Sequence, residues 1–473
     1  MAKEKISAIL PFKLSEKLMD GRSINEMALK ERNVYYKTVK LIDRIVSRKM
    51  MEDQELGSSF PLSSKYIKKI VHPAKYEIIL NSLTENEILI KTRNYSTSNS
   101  RCNQYKINSD LLSSKHIQIE YEQIKRKREE YHMAVEKVFN QIEFVLPNSP
   151  AETVKPYIQQ FKESIRERID FERKKYTPRK GRKRSITKPV EDFLQDRVDY
   201  WQILQASKLK SIVDHNWHIN RNETNNRLDT VFTNLFSGFR KFIQYQGNPM
   251  KQIDLANSQF CIFSNLLLDI LHNNDVMDLQ NSIDLGSFRK ACFSICTNEG
   301  KDIKSDVTDF CNASIDGTLY DHIKTCLDLE TRSEAKQLAF ELFFGCCCKV
   351  DEETNDIDFT DDSSNMEKLS ELYPSIVEVV KYFKFHCTLD KQNERNGVLN
   401  WKTIKAGYAQ FSIMLQKIES NIFIDNILLP LLDQGHILIT CHDSFFYTSE
   451  EARATIENKL NILLPFGYTL KED

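Results

Sequence analysis

A helix-rich α+β fold is what the sequence predicts, on three observations. The chain has 473 residues, enough for two to four domains at roughly 100–200 residues each. It carries only 13 glycines and 12 prolines, and glycine is at under half its usual share of about 7%, so long regular elements must hold most of the chain. Apolar residues recur at helical spacing over long windows, while short apolar runs such as Ile437–Ile439 and Phe445–Tyr447 have the length of strands. Neither G-x-G-x-x-G nor G-x-x-x-x-G-K-[ST] occurs, which excludes the ordinary dinucleotide and P-loop phosphate cradles.

Taken in order, residues 25–52 are predicted helical. Ser63 and Ser64 stand where they cap a short helix holding Tyr66, Ile67 and Ile70, and a second helix runs through Tyr76, Ile79, Leu80 and Leu83. Ile88–Ile90 and Tyr105–Ile107 then flank a polar turn over 94–103. Helix, helix and a two-stranded hairpin resemble a winged-helix module, placed in an N-terminal domain over 1–110. The hairpin is mildly basic through Lys91, Arg93, Arg101 and Lys106, as a phosphate-contacting wing would be, although such modules also bind proteins. Residues 114–141 and 151–176 read as two long, charge-laced helices, an antiparallel pair separated by Pro147-Asn148-Ser149-Pro150, within a helical region over 111–200. The most basic stretch follows, with Lys174, Lys175, Arg179, Lys180, Arg182, Lys183 and Arg184 around Pro178 and Gly181. It reads as a basic loop on a nucleic-acid backbone, with a solvated linker or targeting tract as the alternative. An acidic run from Asp351 to Asp362 lacks calcium-loop spacing and reads as a surface insertion.

The formal net charge of -1 conceals two opposite halves. Residues 1–250 carry 46 Lys+Arg against 31 Asp+Glu, or +15, and residues 251–473 carry 20 against 36, or -16. A basic half suits nucleic-acid phosphates and an acidic half suits divalent metals or simple solubility, with an uneven solvated surface as the alternative to both. Eleven cysteines with a charged start and no apolar leader segment imply reduced thiols and a cytoplasmic location, and no apolar stretch reaches the about 20 residues of a membrane span. Cys346–Cys348 are consecutive and Cys292/Cys296 lack a second pair, so small-residue packing is expected rather than zinc.

Three separated segments carry the chemistry. Gln252–Phe260 places Asp254 at the end of a strand leading into an apolar helix over Ile262–Leu271. In Arg332–Gly345, spacings of four put Arg332, Lys336, Phe340 and Phe344 on one helix stripe, two cations followed by two aromatics, which suits a triphosphate and then a base and sugar. Ile437–Tyr447 puts Asp443 at the tip of an apolar hairpin. Two carboxylates at the ends of buried strands are what a two-metal phosphoryl-transfer site needs, since magnesium takes oxygen ligands.

These segments resemble motifs A, B and C of the family A DNA polymerases and of the related single-subunit phage-type RNA polymerases, whose right-hand fold has palm, fingers and thumb. Asn226–Thr230, Thr233–Leu235 and Gly238–Arg240 resemble the family's G-R-L-S-S-x-x-P-N-L stretch ahead of motif A. The likeness spans roughly residues 220–465. It implies a palm and fingers over 201–473, a thumb-like role for the helical region over 111–200, and two Mg2+ ions, with Mn2+ as an alternative, held by Asp254, Asp443 and the Leu255 carbonyl. It also implies that Arg332 and Lys336 hold the triphosphate, Lys336 protonates the departing pyrophosphate, and Phe340, Phe344 and Gln259 line the nucleotide. Gly345 would leave room for the template base, Arg227 would track the primer terminus, His442 would orient the hairpin, and Gln416 would sit on a helix bordering the site.

The first three departures concern sugar choice, and the fourth, at Asn226, weakens the expected primer contact of Arg227. Gln259 stands at the position of the motif A Glu, Phe344 replaces the Tyr before the motif B Gly, Ser444 follows the motif C Asp, and Asn226 replaces the Gly before the upstream Arg. No D-x-E exonuclease segment is visible. The expected function is a template-directed nucleotidyltransferase, DNA polymerase favoured, from a replication or mobile-element system, acting on primer-template and nucleoside triphosphates. The alternatives are an RNA polymerase or primase-like enzyme, a template-independent defence polymerase, and a DNA-binding initiator on a degenerate scaffold.

Overall fold

The computed structural model describes residues 3–19, 29–51, 56–71, 74–94, 102–112, 116–124, 130–145, seven positions between 155 and 166, 190–272, 286–345, 349–350, 357–358, 364–394 and 401–472. The basic run with Arg179, Lys180, Arg182, Lys183 and Arg184, the tip residue Arg101, Cys346–Cys348 and most of the acidic run lie outside the described residues. The chain divides into two compact units: 1–128 with 144–217 and 234–243, and 129–143 with 218–233 and 244–473. The fold class is α+β with helix dominant.

The first unit contains β1 (Lys3–Pro11), α1 (Phe12–Met19), α2 (Leu29–Met51), β2 (Phe60–Pro61), α3 (Ser64–Ile70), α4 (Tyr76–Glu85), β3 (Leu89–Arg93), β4 (Gln104–Ile107) and β5 (His116–Ile124). On α2, Tyr35, Val39, Ile42 and Val46 recur at helical spacing and are buried, giving the core stripe. Ser63 caps α3 by accepting the Tyr66 N–H at 3.1 Å, and α4, β3 and β4 form where the periodicity predicts them. Phe60–Pro61 joins the hairpin to make a three-stranded sheet, order β2-β4-β3.

The helix expected over 114–141 is not formed. Instead β5 pairs antiparallel with β1 in an unbroken register from Lys3↔Ile124 to Pro11↔His116, and a short helix, α5 (Glu130–Phe139), follows later in the chain. The reason is legible afterwards: Ile117, Ile119 and Tyr121 alternate with Gln118, Glu120 and Glu122 at the two-residue period of a strand. The long antiparallel helix pair is thereby removed, although the described positions between 155 and 166 are helical. Helix α6 (Val190–Val213) also lies in this unit, as does the single turn Ser237–Arg240.

The second unit holds α5 and a hairpin, β6 (Ile219–Arg221) and β7 (Leu228–Thr230), then β8 (Lys251–Leu255), α7 (Ser258–Leu271), α8 (Gly286–Cys296), α9 (Ser305–Ile315), α10 (Leu319–Cys326), α11 (Arg332–Phe344), α12 (Pro374–Asn393) and α13 (Trp401–Ser420). A π-helical turn, Asn421–Leu428, continues from α13, followed by β9 (Leu438–Cys441), β10 (Ser444–Tyr447), α14 (Glu450–Leu463) and β11 (Leu470–Glu472). The four strands form an antiparallel sheet in the order β9-β10-β8-β11. Helix α7 is apolar on all sides and is buried almost throughout, packed through Phe260 and Phe263 on Phe310, Phe343 and Phe411. Helices α12 and α13 cross at Gly407, where an added Cβ would lie 2.3 Å from Thr388 Oγ1 and 2.4 Å from its Cα, so only hydrogen fits. Cys292 and Cys296 are buried packing residues on α8, and burial pushes the Cys296 thiol up to about 12. Among the described residues no helix is long and apolar enough to cross a membrane.

Candidate functional site

All described residues of the candidate site belong to the second unit. In β8, Ile253 and Leu255 are buried on one face, which by strand alternation turns Asp254 to the other. Asp254 sits opposite Ser444 on β10 and opposite Lys471 on β11, and its Oδ1 accepts from Gln252 Nε2 at 3.1 Å. Both β9 and β10 are buried at every position, so the hairpin is pinned by its continuous apolar runs. Its two-residue turn, His442-Asp443, holds His442 in the left-handed region at φ 61°, a conformation that few non-glycine residues adopt. The Asp443 carbonyl accepts the Leu255 N–H at 3.0 Å, which stitches the turn to the end of the Asp254 strand. The two predicted carboxylates are therefore brought to the same end of neighbouring strands.

The Arg227 loop docks beside them. Arg221 grips Asp425 of the π-helical turn with a bidentate pair at 2.7 and 2.6 Å and donates to the Asn226 carbonyl at 2.9 Å. Asn226 has φ 57°, so the backbone here needs the left-handed conformation that Gly tolerates best and Asn next, which accounts for its replacing glycine. Asn225 Nδ2 donates to Gln416 Oε1 at 2.9 Å, and Ser420 Oγ donates to the Asn225 carbonyl at 3.1 Å. Arg227 donates from Nε to Glu419 Oε2 at 2.8 Å and from a second nitrogen to the same oxygen. The other Glu419 oxygen accepts from Ser258 Oγ at 2.9 Å, at the start of α7. Arg227, Glu419, Ser420, Thr440 and His442 line one small cavity.

Glu419 joins this cluster without having been singled out in the sequence, as do Ser258, Asn225 and Asp425. Its signal was an acid three residues beyond Gln416, just ahead of the apolar run Ile422-Phe423-Ile424. Its side chain is 3% exposed. Asp443 feels it: burial first, then the charge of Glu419 and, less strongly, of Asp254 push its carboxyl up to about 6, against the opposing pull of Arg227. Asp443 thus feels two neighbouring carboxylates, Glu419 and Asp254, and the Arg227 guanidinium. Among the described residues no three His, Cys, Asp or Glu side chains form a ready-made metal cage. The hard oxygen donors and the excess negative charge nevertheless fit a divalent cation, whose binding would relieve the repulsion that raises Asp443.

Helix α11 builds the second cluster. Thr331 caps it by accepting the Glu334 N–H, and the Glu334 carboxylate accepts the Glu330 N–H, each at 3.2 Å. Ala335, Leu338, Ala339, Leu342 and Phe343 are buried. The predicted stripe lies on the opposite, open side, with Arg332 and Lys336 exposed and Phe340 and Phe344 half-buried and stacked at 5.2 Å. The Arg332 guanidinium lies 4.9 Å over the Tyr320 ring and 3.3 Å from Asp321, and Lys336 Nζ lies 5.6 Å from the Phe340 ring centre. Phe260, two residues beyond Ser258, stacks on Phe343 at 4.3 Å and meets Phe340 and Tyr320 edge-on, so aromatic contacts join the start of α7 to α11. Burial pushes the Tyr320 hydroxyl up, opposed by Arg332 and reinforced by Asp443, which puts Tyr320 within electrostatic reach of both clusters. Gln259 is buried, and its Oε1 has no hydrogen-bond partner among the described residues. Gly345 ends α11. Lys384, 2% exposed, donates to the carbonyls of Leu342 and Gly345 at 2.6 and 2.8 Å, a buried cation at the negative end of the helix.

No family model matches the sequence, and no curated protein matches it. Among solved structures, the POL domain of Pol1 from M. smegmatis, in complex with DNA primer-template and dNTP, is similar at a TM-score of 0.33 and 14% identity. The alignment covers 60% of this chain and 52% of that one, so this chain matches about half the length of that structure.

Proposed function

We propose that the second unit is a nucleotidyltransferase that extends a nucleic-acid 3′ end on a template, with deoxynucleotides as the favoured substrates. The observation that carries this reading is the joining of Asp254 and Asp443 at one end of neighbouring strands, with negative charge in excess of the single Arg227 partner. In the reaction the primer 3′ oxygen attacks the α-phosphorus of the triphosphate, and the bond from that phosphorus to the bridging oxygen of pyrophosphate breaks. Two magnesium ions, when bound by Asp254, Asp443 and the Leu255 carbonyl, would lower the pKa of the attacking hydroxyl and neutralise the leaving group. Arg332 and Lys336, exposed on one stripe of α11, are read as binding the triphosphate, with Lys336 as the group that protonates the departing pyrophosphate. Phe340 and Phe344 supply a stacked apolar wall for the base and sugar. Arg227, oriented by Glu419, and His442 on the same cavity face the primer end.

A ribonucleotide reading draws support from Phe344, which lacks a hydroxyl, and Ser444 after Asp443. One assay separates the readings: purified protein with magnesium and labelled dNTPs or NTPs supplied separately, with and without primed template. Template-dictated incorporation that disappears in Asp254→Asn and Asp443→Asn is the expected result. Undiminished synthesis by either variant would overturn the proposal. The N-terminal helix-helix-hairpin is read as a docking module.

A further inference from the structure

We propose that the outer face of α2, α3 and the turn into α4 binds the phosphate backbone of duplex DNA through Lys37, Lys65, Lys68, Lys69 and Lys75. This surface lies in the first unit and does not depend on the catalytic reading.

On α3, Lys65, Lys68 and Lys69 are exposed and fall within one 100° arc at about 3.6 residues per turn, while Ile67 on the other side is buried. Lys68 Nζ sits 4.5 Å over the Tyr76 ring, which holds that ammonium against the turn into α4. The Lys37 amine is held below its usual range by partial burial and by the positive charge of Lys75, so cations from α2 and from the cap of α4 crowd together. Among the described residues none of these five lysines pairs with a carboxylate. The nearest acid in sequence, Glu77, accepts from the Tyr76 hydroxyl at 2.6 Å.

Like charges drawn from three elements, with no carboxylate partner among the described residues, match a repeating polyanion rather than a single anion. The second helix of the module is not the contact. Its open face presents Glu77, Ile78, Asn81, Ser82 and Glu85, two acids and no cation. A bilayer is a poorer occupant, because Ile67 and Ile70 of α3 turn inward and leave no apolar outer edge on that helix to seat in lipid.

The test is fluorescence anisotropy of a short labelled duplex with the full chain over a salt series. Each lost phosphate contact flattens the slope of log K against log salt by about 0.9. The variant K65A/K68A/K69A should flatten it by about 2 to 3 and weaken low-salt binding at least about tenfold, with wild-type circular dichroism. K65Q/K68Q/K69Q should behave alike, which separates charge from helix propensity, and E77Q/E85Q should keep the wild-type slope. An unchanged slope in both lysine variants overturns the proposal, as does loss of binding to phosphatidylserine vesicles with duplex affinity intact. Primer extension is read separately, so failure there and failure here are distinguishable.

Discussion

Replacing Asp443 with Asn should stabilise the chain at neutral pH while removing synthesis. The magnitude follows from the carboxyl, raised from 3.8 to about 6 in the fold by burial and by the charges of Glu419 and Asp254. A raised acid binds more protons folded than unfolded, so its cost is absent below pH 3.8, grows through the window from 3.8 to about 6, and is complete above it. A displacement of about two units at roughly 1.4 kcal/mol each gives about 3 kcal/mol, reduced to about 2 for partial solvent access. Asn keeps the shape and drops the charge. Its advantage over wild type should therefore be about 2 kcal/mol at pH 7.5, a melting-point rise of roughly 4–8 °C, and about a third of that at pH 4.5. Magnesium should raise the melting point of wild type at pH 7.5 and not that of the variant, since only the carboxylate gains a cation. Thermal melts at the two pH values, with and without magnesium, supply the numbers. A variant less stable than wild type at pH 7.5, or a difference independent of pH, would refute the charge crowding on which the metal site rests.

Three further outcomes follow from the same geometry. Arg227→Ala strands the buried Glu419 charge and should cost about 3–5 kcal/mol in urea unfolding, most of which the double variant Arg227→Ala/Glu419→Gln recovers; additive losses would contradict the pairing. Arg332→Ala and Lys336→Ala should each raise the triphosphate KM about tenfold or more, with Lys336→Ala also lowering kcat, while melting temperature holds because both side chains are exposed. Gly407→Ala drives a methyl into Thr388 backbone atoms at 2.4 and 2.7 Å and should cost about 3 kcal/mol, visible as a lowered melting temperature.

Legibility differed with the range of the interaction. Ser63 as a cap, the Asp254 strand, the stripe of α11 and the Asp443 hairpin are set by neighbours within a few residues, and each forms where the pattern indicates. The β1–β5 pairing joins segments more than a hundred positions apart, and the charged residues of β5 masked its two-residue alternation as a helix surface. The role of Asn226 looked like a weakness in the sequence, whereas its φ of 57° shows a backbone requirement that Asn can meet.

By itself, then, the sequence determined the chemical types at the site and the elements that carry them: two carboxylates on strand ends and a cation–aromatic helix, because periodicity and local hydrogen bonding are short-range. Only the tertiary structure decided that Glu419 bridges Arg227 and Ser258, that Phe260 and Tyr320 couple α7 to the Arg332 cluster, and that burial and neighbouring charges push the Asp443 carboxyl up to about 6. Those properties depend on burial and on charges contributed by distant segments, and neither exists until the chain has folded.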